Sequence, residues 1–300
     1  MSESAQATLR LCAAVFAAGA AWILVAQAVG RLRGRRVWTT YFVELAVLGA
    51  ILVPAALGGA WLTGALALIA GACTHELLSA LTPGPGRAER ADRGLAVIGG
   101  AALLLATARF GLAGGYTAFS ALACLVLVRA ALNGPGASER AGRTLLALVY
   151  PGLCLAHLQA LGALPGGFGY VVFCYGLTEI NDSAAFLVGS TLGRTRPWPT
   201  LSPNKTVEGC LGGLAITLAV APAFHFAVPG LSAVRLVLGA ALLGLGGLVG
   251  DLLASRFKRD AGIKDYAALV PTHGGVLDVY DSLIFVAPLF HGYLALCQLR

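Results

Sequence analysis

Charged side chains are scarce in this chain. Asp, Glu, Lys and Arg make up 12% of its 300 residues, about half the roughly 25% of an ordinary soluble domain. So little polar surface cannot clothe a water-facing globule, which excludes an ordinary cytosolic enzyme. Metal-site and disulfide patterns are also missing. The seven cysteines, at 12, 73, 124, 154, 174, 210 and 297, stand singly in apolar runs without a CxxC, so neither disulfides nor a zinc site is expected and they read as packing residues. Residues 1–7 hold no Lys or Arg, so the first hydrophobic segment is expected to remain a span rather than to be removed as a signal peptide. What is abundant is apolar: 58% hydrophobic residues, 40 glycines and a mean hydropathy of +0.80. Glycine at that density suits helices packing closely in lipid. Basic residues outnumber acidic ones 21 to 14, an excess that in such a chain orients loops rather than binding nucleic acid.

A spanning helix needs about 20 apolar residues. The chain divides into about ten such segments, near 9–30, 39–57, 60–81, 94–112, 115–132, 144–164, 167–190, 210–229, 233–253 and 276–297. Nine is the alternative; the second and third are the least secure, since Pro54, Gly58 and Gly59 mark either a tight turn or a broken helix. The expected fold is an all-α integral membrane protein, a polytopic helical bundle forming one domain over 1–300, with 1–170 mainly scaffold. Loop charge tests the division. Seventeen Lys and Arg fall at the odd-numbered exits, and only Arg10, Arg109, Arg235 and Arg300 fall opposite. By the positive-inside rule the odd exits face the cytoplasm and both termini lie outside it.

The polar residues concentrate in the second half, 171–297, at the ends of apolar helices. Glu179 and Asp182 share a helix face three apart, next to Asn181, and ionisable groups within spans suggest function by default. The loop Ser202, Pro203, Asn204, Lys205, Thr206, Val207, Glu208, Gly209 puts a lysine and hydroxyls ahead of a helix N-terminus, a seat for phosphate that lacks Walker A spacing. The densest cluster runs from Asp251 through Ser255, Lys258, Arg259, Lys264 and Asp265 to His273, Gly274, Gly275, Asp278 and Asp281. On a continuing helix Ser255 and Lys258 share the face of Asp251, and Asp278 pairs with Asp281 on another. Carboxylates flanking a basic loop suit Mg²⁺, which takes its remaining ligands from water and substrate phosphates. In the first half only His75 and Glu76, near the end of the third segment, stand out. No second histidine follows at metalloprotease spacing, and Glu76 is a candidate to face the interior.

These residues stand in the order Ser255, Lys258, Arg259, Lys264, Asp265, Pro271, His273, Gly274, Gly275, Asp278, Asp281, and the arrangement resembles the signature of the phosphatidate cytidylyltransferase family. Asn181 and Asp182 followed by Ala185, Phe186 and Gly189, and the 202–209 loop, resemble that family's upstream elements. The close resemblance covers about 175–285. Two positions depart from the pattern: Val279 stands where the family has arginine, and Ala254 where an acidic residue is common. A lost guanidinium fork points to a divergent branch.

The resemblance implies attack by a lipid phosphate on the α-phosphorus of CTP, giving CDP-diacylglycerol and pyrophosphate, in a bacterial inner membrane with the site facing the cytoplasm. Asp251, Asp278 and Asp281 would hold Mg²⁺, with a second cation left open. Lys258 would act with them in catalysis. Asp182, Ser202, Lys205, Thr206, Ser255, Arg259, Lys264, His273, Gly274 and Gly275 would bind substrate. The expected partners are CTP, phosphatidate or a related lipid phosphate, and membrane lipids, with a homodimer left open. The rivals are a CTP-dependent polyprenol kinase, a homologue with altered substrate or no activity, and a transporter. Charges gathered at one membrane face argue against the last.

Overall fold

The computed structural model describes residues 35–82, 86–228, 230–271 and 273–298, with Arg10, Ala21 and Leu24. The expected first span, 9–30, otherwise lies outside the described residues. The rest is helical: α1 Arg35–Leu57, α2 Gly59–Leu81, α3 Arg87–Leu132, α4 Ala137–Ala147, α5 Cys154–Ala163, α6 Gly167–Leu192, α7 Val207–Val220, α8 Ala233–Asp260 and α9 Val276–Gln298. Eight helical stretches are long and apolar enough to cross a membrane. Large apolar side chains such as Leu68, Ile98, Phe110 and Phe186 are exposed on their outer faces, as a lipid solvent allows.

Each break has a local cause. Gly58 and Gly59 adopt positive φ, 72° and 49°, and end α1 in a tight turn, whereas Pro54 rides within the helix. The 46 residues of α3 would run about 69 Å at 1.5 Å per residue, twice a bilayer core. The helix therefore folds back at Gly111, whose φ of 69° and ψ of −173° are not helical. Its arms lie side by side: Arg129 reaches Asp92 at 3.0 Å, and a Cβ at Gly99 would touch Leu122 at 3.2 Å. The two spans expected at 94–112 and 115–132 are these arms, so nine crossings are present among the described residues. Between α4 and α5 the π-helical turn Leu148–Leu153 accommodates Pro151, which has no N–H to donate. The end of α7 tightens into a 3₁₀ turn, Ala221–Phe226, at Pro222.

Small residues set the closest helix approaches. A Cβ on Gly213 of α7 would lie 2.8 Å from the Asn181 carbonyl of α6, and one on Gly250 of α8 would lie 2.7 Å from Phe285 Cβ and 3.0 Å from the Asp281 carbonyl of α9. These seams bring α6, α7, α8 and α9 together at one end of the bundle. In the core the Phe173 and Phe290 rings stack at 5.3 Å. The Tyr175 and Tyr280 hydroxyls donate to the Val47 carbonyl, at 3.5 and 2.9 Å, tying α1 to α6 and α9.

Candidate active site

At that end the polar residues of α6, α8, α9 and the loops 193–206 and 261–275 converge. Because α8 stays helical through Asp260, Ser255 falls one turn from Asp251 and donates to its Oδ1 at 3.2 Å. The other oxygen, Oδ2, takes the Lys205 ammonium at 2.5 Å. Burial alone would pull Lys205 down, but Asp251 and Asp182 more than offset it and hold the ammonium above the ordinary lysine range. Asp281 is buried; its electrostatic neighbours are Asp251, Lys258 and Asp182, and its Oδ1 accepts from the Ser282 amide at 2.6 Å. Asp182, Asp251 and Asp281 are thus one acidic group contributed by three helices, with Lys205 beside it.

Asp278 stands apart from that group. Its Oδ1 accepts from Lys258 at 2.7 Å, with side chains 5% and 11% exposed respectively, and its Oδ2 accepts from the backbone N–H of Tyr266 and Gly275, at 3.0 and 2.8 Å. Three donors on one carboxylate tie α8, the 261–275 loop and the start of α9 together. Gly274 at φ 98° makes the turn, and a Cβ there would press on Asp278 Oδ2 at 2.7 Å, so only glycine fits. Burial and then Asp278 raise the phenol of the adjacent Tyr266 above its ordinary range.

The other expected residues have local roles. Thr206 is buried and caps α7, its Oγ1 accepting from the Gly209 amide at 3.1 Å. Arg259 donates to the Ile263 carbonyl at 2.9 Å, closing the end of α8. His273 sits in the 270–274 turn, its Nε2 2.8 Å from Glu44 Oε1 on α1. Ser202 is half-buried, Lys264 exposed, and Val279 half-buried against the core.

Three carboxylates build the site without belonging to its acidic group: Glu44, which sequence reasoning missed, and Glu208 and Glu76, which it set out without a role. Glu44 holds His273 across 229 positions, and its place inside an apolar span was the available signal. Glu208 gathers the backbone N–H of Arg194 and Thr195, at 3.0 and 3.1 Å, and the Thr195 hydroxyl at 2.9 Å, folding the 193–206 loop onto α7. Glu76 of α2 is buried and accepts from the Val276 and Leu277 amides at 3.0 and 2.8 Å. It caps the N-terminus of α9 from another helix, where a negative charge meets unsatisfied N–H groups and the positive end of the helix dipole. Glu76→Ala should lower stability by about 3 kcal/mol, two charge-assisted hydrogen bonds, whereas Glu76→Gln, keeping one acceptor, should lose roughly half as much. Thermal unfolding in detergent of both variants checks the ranking; equal midpoints in all three proteins would remove the cap.

The carboxylates of the acidic group are hard oxygen donors of the kind a divalent cation takes. Asp251 and Asp281 offer hard oxygens beside Asp182, and an ammonium already sits on Asp251. Among the described residues no three His, Cys, Asp or Glu side chains converge closely enough to hold an ion unaided. A cation here would take the rest of its shell from water and phosphate oxygens, as Mg²⁺ commonly does beside one or two carboxylates.

The model of the cytidylyltransferase family matches residues 34–297. A phosphatidate cytidylyltransferase of Staphylococcus aureus is 41% identical over 126 residues, 42% of this chain and 48% of that one. The Bacillus subtilis protein of the same name is 37% identical over 153 residues, 50% of this chain and 57% of that one. The uncharacterized protein YnbB of Escherichia coli is 39% identical over 148 residues, 48% of this chain and 50% of that one. The chain spans about half the length of these curated relatives.

Proposed function

The chain belongs to the cytidylyltransferase family, and from that premise we propose that it is a phosphatidate cytidylyltransferase, joining CTP and phosphatidate into CDP-diacylglycerol and pyrophosphate. The observation that carries the reading is the acidic group Asp182, Asp251 and Asp281 set beside Lys205, with Lys258 held at its edge by Asp278. Phosphoryl transfer asks a protein chiefly for positioning and charge neutralisation, and this end of the bundle offers both.

In the proposed reaction a phosphate oxygen of phosphatidate bonds to the α-phosphorus of CTP as the bond from that phosphorus to the α,β-bridging oxygen breaks, releasing pyrophosphate. No protein base is needed, since the lipid phosphate is already ionised near neutral pH. Lys205 and Lys258 receive phosphate oxygens, and exposed Lys264 draws the triphosphate in from water. Asp251 and Asp281 would hold a divalent cation, which when bound neutralises phosphate charge and stabilises the leaving pyrophosphate. Asp278 then acts by fixing Lys258 and the Gly274 turn, a positioning role in place of the ligand role expected from the motif. Purified protein supplied with labelled CTP, Mg²⁺ and phosphatidate should release pyrophosphate and CDP-lipid in equal amounts. Release of CDP with a phosphorylated polyprenol would instead establish the kinase.

We further propose that the site faces the cytoplasm of a bacterial cell, as the 17-to-4 distribution of Lys and Arg supports. Single cysteines at positions 195–205 and 258–268 should react with an impermeant thiol reagent only from the cytoplasmic side, and those at 231–234 only from the other. Labelling of 258–268 from outside would invert the topology and separate the site from CTP.

A further inference from the structure

The two lysines of the site are held in different ways. Lys258 is fixed at its charged end: its ammonium meets the buried Asp278 carboxylate at 2.7 Å, that carboxylate is tied by two backbone N–H groups besides, and the Tyr266 ring lies 5.7 Å away. An ammonium so placed stays with its partner, since parting would strand both charges, and its remaining N–H groups are left for phosphate. Lys205 is fixed at its root instead. Its amide donates to the Ser202 carbonyl at 3.2 Å, the next residue, Thr206, is buried and caps α7, and Glu208 folds the 193–206 loop onto the same helix. From that anchored backbone a flexible four-carbon stem carries the ammonium to Asp251 Oδ2 at 2.5 Å, in a pair that is partly open to water.

Asp251 is also one of the two carboxylates proposed to hold a divalent cation. Both of its oxygens are engaged, Oδ1 by the Ser255 hydroxyl and Oδ2 by Lys205, and Asp182 and Asp281 are further electrostatic neighbours of the same ammonium. Lys205 therefore stands as the positive charge of the acidic group. A divalent cation on Oδ2 would share one oxygen with this ammonium, and like charges so close repel. A triphosphate removes the conflict, because its oxygens accept from the ammonium and give Lys205 a second place to stand, within reach of a side chain whose root does not have to move.

We propose that Lys205 is an exchangeable counter-ion, alternating between Asp251 and the triphosphate. On Asp251 it opposes a divalent cation that comes alone; on the phosphates it leaves Asp251 open to a cation that comes with nucleotide. The site thus takes cation and nucleotide as a pair. The inference rests on the cytidylyltransferase reading for the identity of the nucleotide, and it differs from two simpler roles for the same residue. A lysine that only braces Asp251 would support both kinds of binding, and one that only binds phosphate would have no effect on the cation alone.

Two binding measurements on the purified full chain in detergent, without lipid substrate, separate these roles: Mn²⁺ alone, followed by electron paramagnetic resonance, and labelled CTP at saturating Mn²⁺, followed by equilibrium dialysis. Lys205→Met should bind Mn²⁺ alone about tenfold more tightly than the wild type, a coupling of ordinary size between adjoining sites. It should bind CTP with Mn²⁺ about tenfold more weakly, through loss of a charge-assisted hydrogen bond. Lys205→Gln, which can still donate to Asp251 but carries no charge, should show the same two signs and guards against a folding defect in the first variant. Lys264→Met removes an equal charge from an exposed position in the neighbouring loop and should change Mn²⁺ affinity by less than about twofold, because water and salt screen it. Unchanged or weaker Mn²⁺ binding in the Lys205 variants, undiminished CTP binding in them, or an equal gain in Lys264→Met would each overturn the exchange and leave the cytidylyltransferase reading standing. Wild-type protein that binds no CTP in the presence of Mn²⁺ would overturn that reading, and the exchange with it.

Discussion

Asp251→Asn and Asp281→Asn should each reduce CDP-lipid formation by roughly 10²–10³-fold, the usual cost of removing one preorganised electrostatic group, while the protein still inserts and purifies. Asparagine keeps the volume and removes the charge on which cation binding depends. Folding should not suffer. The electrostatic neighbours of Asp281 include two like charges, Asp251 and Asp182, so neutralising it relieves repulsion, and the unfolding midpoint of Asp281→Asn should equal or exceed that of the wild type. The Asp251 pair with Lys205 is partly exposed, at 29% and 20%, and ion pairs of that kind contribute under about 1 kcal/mol. Steady-state turnover with phosphatidate and CTP, read beside thermal unfolding in detergent, checks both halves. Near-normal turnover in either variant would remove that aspartate from the reaction.

Asp278→Asn should behave differently, losing activity and stability together. Its carboxylate is 5% exposed, paired with a lysine that is 11% exposed, and it accepts two backbone N–H groups besides. Removing one partner of a buried pair leaves the other charge uncompensated, at about 3–5 kcal/mol. A lowered unfolding midpoint and faster proteolysis within 261–275 are the expected readouts. A midpoint equal to that of Asp281→Asn would mean that the two aspartates do the same job.

The contrast between Asp278 and Asp281 marks how far the sequence was legible. Apolar runs of spanning length, checked against the alternation of loop charge, gave the crossings, and Gly58 and Gly59 marked the break between the first two described helices, because each is a property of a short stretch. Gly111 was not singled out, since a lone glycine in a long apolar run looks like packing until the run is seen to be twice a membrane's thickness. The motif gave the identities of Asp251, Asp278 and Asp281, and helical spacing placed Asp278 and Asp281 on one face. What spacing could not tell is which carboxylate meets loop amides and which meets the acidic group. That depends on how the 261–275 loop returns to α9, a tertiary matter. The partners of Glu44 and Glu208 were invisible for the same reason: they lie 229 and 13 or 14 positions away, in segments whose approach no local pattern encodes. Thr206 shows the converse, a residue picked out by its motif whose hydroxyl also closes a helix end.

The cap that Glu76 provides has a consequence for how the protein is made. Its acceptors wait for amides 200 and 201 positions later in the chain. At about 5–20 residues per second of synthesis, roughly 10–40 s separate the emergence of this carboxylate from that of the helix it caps. Throughout that interval α2 holds an acidic side chain with nothing to neutralise it, five residues from the helix end at Leu81. A position nearer the middle of the span would leave that charge in hydrocarbon while the rest of the chain is still being synthesised, whereas one turn from the boundary it can remain wet until α9 arrives.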